Sequence, residues 1–286
     1  MASRLSNVQR FLALLLLIPA ALVLGQPPAG AGDALTPAQG QALVDRVLGN
    51  ELAAAQNASH PMRYQLRKTS PRYTSTKEIV ETKDGDVARL IEISDKPLNQ
   101  ADEQNEQARL TDLLADPGKQ RKRKEAEDED AARALKVLRA MPAALLYQYA
   151  GSSEAPTGKV EKFTFRPNPS FSPPDLETLV LTEMVGEIWI DPAHQRVTRL
   201  EGHLQQDIEF GWGILGRLNK GGWITIDQAD VGGGEWRTVR FQMVMSGRVV
   251  FKSRVFDTTE DQTHFASVPA GLSYQEAIKM LREDPK

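Results

Sequence analysis

Met62-Arg-Tyr-Gln-Leu-Arg67, then Thr76-Lys-Glu-Ile-Val-Glu-Thr82, Asp84-Gly85 and Val87 to Ser94, decide the fold. In the first stretch Met62, Tyr64 and Leu66 alternate with Arg63, Gln65 and Arg67, a period of two that marks a strand with unlike faces. Asp84-Gly85 is a hairpin signal between the next two strands, because a glycine supplies the positive φ of a tight turn. The chain therefore enters an antiparallel meander near residue 62.

Upstream, Thr36-Pro37 reads as an N-cap with proline in the first helical turn. Leu43, Val44, Val47, Leu48 and Leu52 follow at helical spacing and predict a helix ending near Asn57, with one stripe facing a core. Downstream, the meander is interrupted over residues 98–141. Asp102 to Leu114 reads as helix, and Asp116-Pro117 starts a second one. That second helix carries Arg121-Lys-Arg-Lys124 and then Glu125, Glu127, Asp128, Glu129 and Asp130. Acid follows base so closely that Arg121–Glu125, Arg123–Glu127 and Lys124–Asp128 fall at i,i+4, the spacing of a solvated helix rather than of a nucleic-acid patch. Leu135, Val137, Leu138 and Met141 give it an apolar end that can dock.

Strands resume after Pro142: Leu145 to Ala150, Val160 to Arg166, Met184 to Asp191, Arg196 to Leu204, Trp223 to Ala229, Glu235 to Met245, Arg248 to Asp257 and His264 to Val268. With the early ones that makes about eleven, too many for a flat open sheet, so the meander is expected to curl. Gly232-Gly-Gly234 and Ser246-Gly247 read as turns. A short helix from Tyr274 to Arg282, capped by Ser273, is expected over a sheet edge. Late strands carry apolar residues on both faces (Val239, Phe241, Met243 and Met245 against Trp236, Thr238, Arg240, Gln242 and Val244), which fits either an ordinary sheet core or the wall of an apolar cavity.

Phe210-Gly-Trp-Gly-Ile-Leu-Gly-Arg-Leu218 is apolar and rich in glycine. One reading makes Phe210, Trp212, Ile214 and Leu215 a mobile lip at a cavity mouth, with Trp223 and Trp236 as further ligand contacts; the other makes the segment a buried connection.

Chemistry is sparse. The chain lacks cysteine, which removes disulfides, thiolate metal sites, cysteine nucleophiles and the attachment point of a lipid anchor. His60, His194, His203 and His264 are far apart and form no metal-binding pair. Gly232-Gly-Gly234 precedes a strand, not a helix, and so is no phosphate cradle. No nucleophile elbow is present, and the pair Asp207 and Glu209 lacks a partner base. The expectation is a protein without a catalytic site, a metal or a cofactor. A net charge of −3 gives no field that would attract nucleic acid.

The first 31 residues have the three parts of a secretory signal: Arg4 and Arg10, an apolar run from Phe11 to Leu24, and small residues with cleavage expected at Val23-Leu-Gly25 or Ala29-Gly-Ala31. The run is short for a membrane span of about 20 residues. Residues 32–286 are then read as one domain.

Glu187-Ile-Trp-Ile-Asp191 with Arg196-Val-Thr-Arg-Leu200 resembles the strand pair of outer-membrane lipoprotein-sorting proteins, and Phe210-Gly-Trp-Gly-Ile-Leu with Leu218-Asn-Lys-Gly-Gly222 resembles an uncharacterised branch of them. The layout as a whole is similar to the lipoprotein localisation factor superfamily. The resemblance implies a mainly β fold with helices (α+β), an antiparallel sheet curled into an open half-barrel. The first helix and the charged insertion would be its lid, over an apolar cavity for acyl chains. It implies a soluble, non-catalytic periplasmic protein whose partners are lipids or lipoprotein acyl chains. An alternative reading is an envelope sensor or interaction module that meets a protein partner through the charged insertion.

Overall fold

The structure, a computed structural model, describes residues 35–57, 60–155, 158–210, 216–249 and 252–283. The proposed signal segment and residues 211–215, with Trp212, Ile214 and Leu215, lie outside the described residues.

Helix α1 (Pro37–Ala55) begins at a capping box. Thr36 Oγ1 accepts from the Gln39 N–H, and the Gln39 side chain returns to the Thr36 N–H. Strands β1 (Met62–Ser70), β2 (Tyr73–Val80), β3 (Val87–Ile93) and the two-residue β4 (Lys96–Pro97) form the first meander. Helices α2 (Gln100–Ala115) and α3 (Pro117–Ala144) follow, capped by Asn99 and Asp116. Strands β5 (Leu145–Ala155) and β6 (Gly158–Pro167) precede the single turn α4 (Leu176–Leu179). Next come β7 (Met184–Asp191), β8 (Arg196–Leu204) and the short β9 (Ile208–Phe210) and β10 (Gly216–Leu218). The last strands are β11 (Trp223–Asp230), β12 (Trp236–Val249) and β13 (Lys252–Ser267), and α5 (Tyr274–Glu283) ends the described chain.

All strands join one antiparallel sheet, ordered β4-β3-β2-β1-β13-β12-β11-β8-β7-β6-β5, with the β9–β10 hairpin attached to β12. Its two end strands do not pair with each other, so the sheet is an open half-barrel. The eleven strands of that path match the sequence reading in number but not in every boundary. Ser246-Gly247 is not a turn: β12 runs through it, and β10 pairs there, where a side chain on Gly247 would strike the Arg217 carbonyl oxygen. Val249 is the register partner of Lys252, so β12 and β13 stay paired to that point. His264 does not start a strand; it takes φ +57° inside β13, where the register with β1 slips.

The face of the sheet beneath α1 and the end of α3 is called inner. Val44, Val47 and Leu48 of α1, Met141 and Ala144 of α3, and Phe163, Ile188, Ile190 and Leu204 of the sheet form its core. Gly40 lets α1 lie directly on the Phe163 ring, which a Cβ would meet at 2.9 Å. On the outer face, one row of register partners runs Lys162, Trp189, Arg199, Asp227, Arg240, Asp261 and Arg67. Charges of opposite sign meet along it, Arg199 with Asp227 at 2.7 Å and Arg240 with Asp261 at 3.1 Å, and Lys162 Nζ sits 3.9 Å from the Trp189 ring centre.

A second core lies beside β2 and β3, where Val80 and Val87 meet Leu110 and Leu113 of α2 and Ala277, Ile278 and Leu281 of α5. The sequence reading put α5 over a sheet edge. Instead α5 packs against β2 and β3, and the Arg89 guanidinium donates to the Leu281 carbonyl at 2.7 Å. The edge of β3 is served by α2: the Glu106 carboxylate accepts from the Leu90 N–H at 2.8 Å, and Arg109 donates to the Ala88 carbonyl. Two side chains thus stand where a neighbouring strand would.

The charged run of α3 is also engaged within the fold. Lys124 and Asp128 pair as expected, at 2.8 Å. Arg123 and Glu127 instead turn to the β2–β3 connection: Glu127 accepts from the Asp86 N–H at 3.0 Å, while Gln120 donates to the Asp84 and Gly85 carbonyls. Gly85 has φ +92°, where a side chain would be strained, and a Cβ there would press on Glu127 Oε2 at 2.8 Å and on Lys124 Cβ at 3.0 Å, so glycine suits the place under α3.

This contact buries Asp86 beside Glu127 and Glu81. Burial first, and the two carboxylates next, push its carboxyl up to about 7. A carboxyl raised above its unfolded value holds its proton in the fold while the open chain gives it up, so stability falls as pH rises from about 4 to 7. Asp86→Asn should remove that part of the decline. Urea unfolding at pH 5 and pH 8 should show a gain over the parent that is small at the first and larger at the second.

Candidate ligand cavity

The inner face of the sheet is not filled by its helices. A cavity of about 580 Å3 remains between α1, α3, the turn after α4 and the sheet, a size typical of small-molecule sites. Leu48 comes from α1 and Leu135, Val137, Leu138 and Met141 from α3; these are the apolar end that the sequence marked for docking. The sheet contributes Phe165, Met184, Leu200, Ile224, Ile226, Phe241 and Met245. Leu200 is the register partner of Ile226, and Ile226 of Phe241, so these three line up across the strands.

Three polar side chains interrupt this lining, and they are neighbours. Glu51 extends from the apolar stripe of α1, Gln228 donates to Glu51 Oε2 at 3.4 Å, and Thr238 is the register partner of Gln228. Glu51 is buried and bound on several sides. The guanidinium of Arg196 grips both its oxygens, at 2.8 and 3.0 Å, and the Val197 N–H donates to it at 2.9 Å. Trp236 and His194 close that end from beyond: the Arg196 guanidinium lies 5.7 Å from the Trp236 ring centre, and the His194 ring meets Trp236 at 5.6 Å, tilted by 50°. Asp191 accepts from the backbone N–H groups of Ala193 and His194, holding the β7–β8 turn in place.

Strict alternation would separate Thr238 from Phe241. A bulge between Asp227 and Gln228 in the β11–β12 register adds one residue to β12, and both side chains line the cavity. Trp236 falls on the same face as Thr238 and stands outside the lining, behind Arg196. Trp223 is adjacent to Ile224 on β11 and faces the other way, about one-third exposed. Phe210 packs against the large core from β9. Of the six side chains offered by the sequence as ligand contacts, the structure therefore places none of the three described ones in the lining. Glu51 is not among those six; its signal in the sequence is a single carboxylate on the Val44, Val47, Leu48 stripe.

Among the described residues no group of three His, Asp or Glu side chains is arranged to hold a metal. No helix among them is long and apolar enough to cross a membrane. No family model matches the chain, and no curated protein matches it. Among solved structures the fold is similar to a domain of Vibrio parahaemolyticus described as an outer membrane lipoprotein-sorting protein. That chain is 10% identical; the match covers 84% of this chain and 98% of that one, with a TM-score of 0.32.

Glu51→Ala should leave Arg196 as a largely buried cation without its partner and cost about 3 kcal/mol. Asp128→Ala, which breaks the exposed pair with Lys124, should cost about 0.5 kcal/mol or less. Urea midpoints of the two variants, measured side by side, check the contrast.

Proposed function

We propose that this protein binds an acyl chain, of a lipid or of a lipid-modified protein, and carries it in the cavity beneath α1 and α3. The observation that supports this best is the lining: apolar side chains from both helices and from the sheet, broken only at one end. Burial of apolar surface at about 25 cal/mol per Å2 is enough to hold a chain of methylenes without any placed charge. Met141, Met184 and Met245 lie on the wall, and such flexible, polarisable side chains adapt to ligands of varied shape.

The first 31 residues favour export to the periplasm, where a soluble carrier would meet lipid-modified proteins. Among the described lining residues no nucleophile has a base beside it, and we read the cavity as a carrier's. The charged helix supports it too. Gln120, Arg123 and Glu127 are spent on the 84–86 turn, which makes this part of α3 a fastening of the lid.

Purified protein should carry lipid in native mass spectrometry, and after delipidation it should take up an uncharged apolar fluorophore. Leu135→Asp, on the half-buried cavity side of α3, should abolish uptake while the protein still melts cooperatively. A parent protein that yields no lipid and takes up no such probe would remove the reading.

A further inference from the structure

We infer that the polar end of the cavity selects acyl ligands whose head group donates hydrogen bonds, and turns away those ending in a carboxylate or phosphate. The inference rests on the carrier reading and adds which class of ligand is carried and which way round it lies.

The argument is one of donors and acceptors. Among the described residues no lysine or arginine lines the cavity. The charged residue in the described lining is Glu51, whose ionised carboxylate can only accept. Because a carboxylate cannot donate, the Gln228 group that faces Glu51 must be the amide nitrogen, and this fixes the Gln228 carbonyl oxygen as the atom left over. Neither that oxygen nor the Thr238 hydroxyl has a hydrogen-bond partner among the described residues. Thr238 can donate or accept and the Gln228 oxygen presents lone pairs, whereas Glu51 already accepts two hydrogen bonds at each oxygen, from Arg196 and Val197 and from Arg196 and Gln228. The compensating cation does not reach the ligand's side: Arg196 spends Nε and Nη2 on Glu51 and lies against Trp236.

A hydroxyl, amide N–H or ammonium head placed here would find acceptors waiting. A carboxylate or phosphate would bring only lone pairs to the Gln228 oxygen, would meet no free cation among the described lining residues, and would have to shed its water to enter. The remaining wall is apolar as far as Met184 and Met245, so the chain would run along the strands away from Glu51.

The test uses delipidated full-length protein preloaded with the uncharged fluorophore. Displacement is measured at pH 7.5 by dodecylamine, dodecanol and dodecanoate, which share a chain and differ in the head. Dodecylamine and dodecanol should displace the probe at concentrations about tenfold or more below dodecanoate, the ratio expected when one charge-assisted hydrogen bond is gained or lost. Thr238→Val and Gln228→Leu leave the Glu51–Arg196 pair in place. Gln228→Leu should shrink the preference for dodecanol, read as the ratio of the dodecanoate to the dodecanol displacement concentration in the same variant. Equal displacement by all three ligands, or a preference for dodecanoate, would overturn the inference with the carrier reading standing. Failure of the parent to take up the probe would instead sink the carrier reading.

Discussion

An open antiparallel sheet has two unpaired edges and one apolar face to hide, and in this protein a single crossover handles much of both. The chain reaches one end of the sheet at β4 and must resume at the other, in β5. At about 1.5 Å per residue, the 28 residues of α3 reach roughly 40 Å, enough to bridge the open side. On its way the crossover supplies Glu106 and Arg109 to the exposed backbone of β3, fastens to Gly85, and lays Leu135 to Met141 over the inner face. The cavity is what is left because one helix is too narrow to fill the trough it spans, even with α1 beside it.

That trough would be costly if it were merely empty, since atoms lining a void lose their contact partners. Two anchors keep it from collapsing. At one end the Glu51–Arg196–Val197 cluster ties α1 to β8, with Trp236 sealing it. At the other the core around Phe163 and Gly40 sets how closely the helix approaches. Hydrogen bonds to a charged group have strict geometry, so the first anchor fixes position more firmly than apolar packing does.

Much of this is legible in the sequence because local rules govern it. Thr36 and Gln39, Asn99, Asp116 and Ser273 mark helix starts through their own side chains, and Asp84-Gly85 marks its turn through backbone freedom. What alternation conveys fails where the partner strand decides. The extra residue near Val239 is a matter of register with β11, so Thr238 and Trp236 could not be assigned a face from β12 alone. Gly247 looks like a turn residue, yet it is small because β10 passes close by. Glu106 and Arg109 read as ordinary helix-surface charges, since nothing local says that an unpaired strand edge lies opposite them. Glu51 differs: its place on an apolar stripe was visible, but not the arginine that makes it tolerable.

The pairing of β1 with β13 has a kinetic side. Lys68 and Glu260, which meet at 2.7 Å across that seam, are 192 positions apart in the chain. The meander β1–β4 therefore has no inward neighbour until nearly the last strand has formed. Contacts of such long range pay their loop-closure entropy before they return any binding, which slows assembly. The newly made chain must wait for its C-terminal portion with β1 exposed along one side. For that interval it is a ready partner for another copy's strand, and a holding chaperone would find its target at β1 rather than at the finished surface.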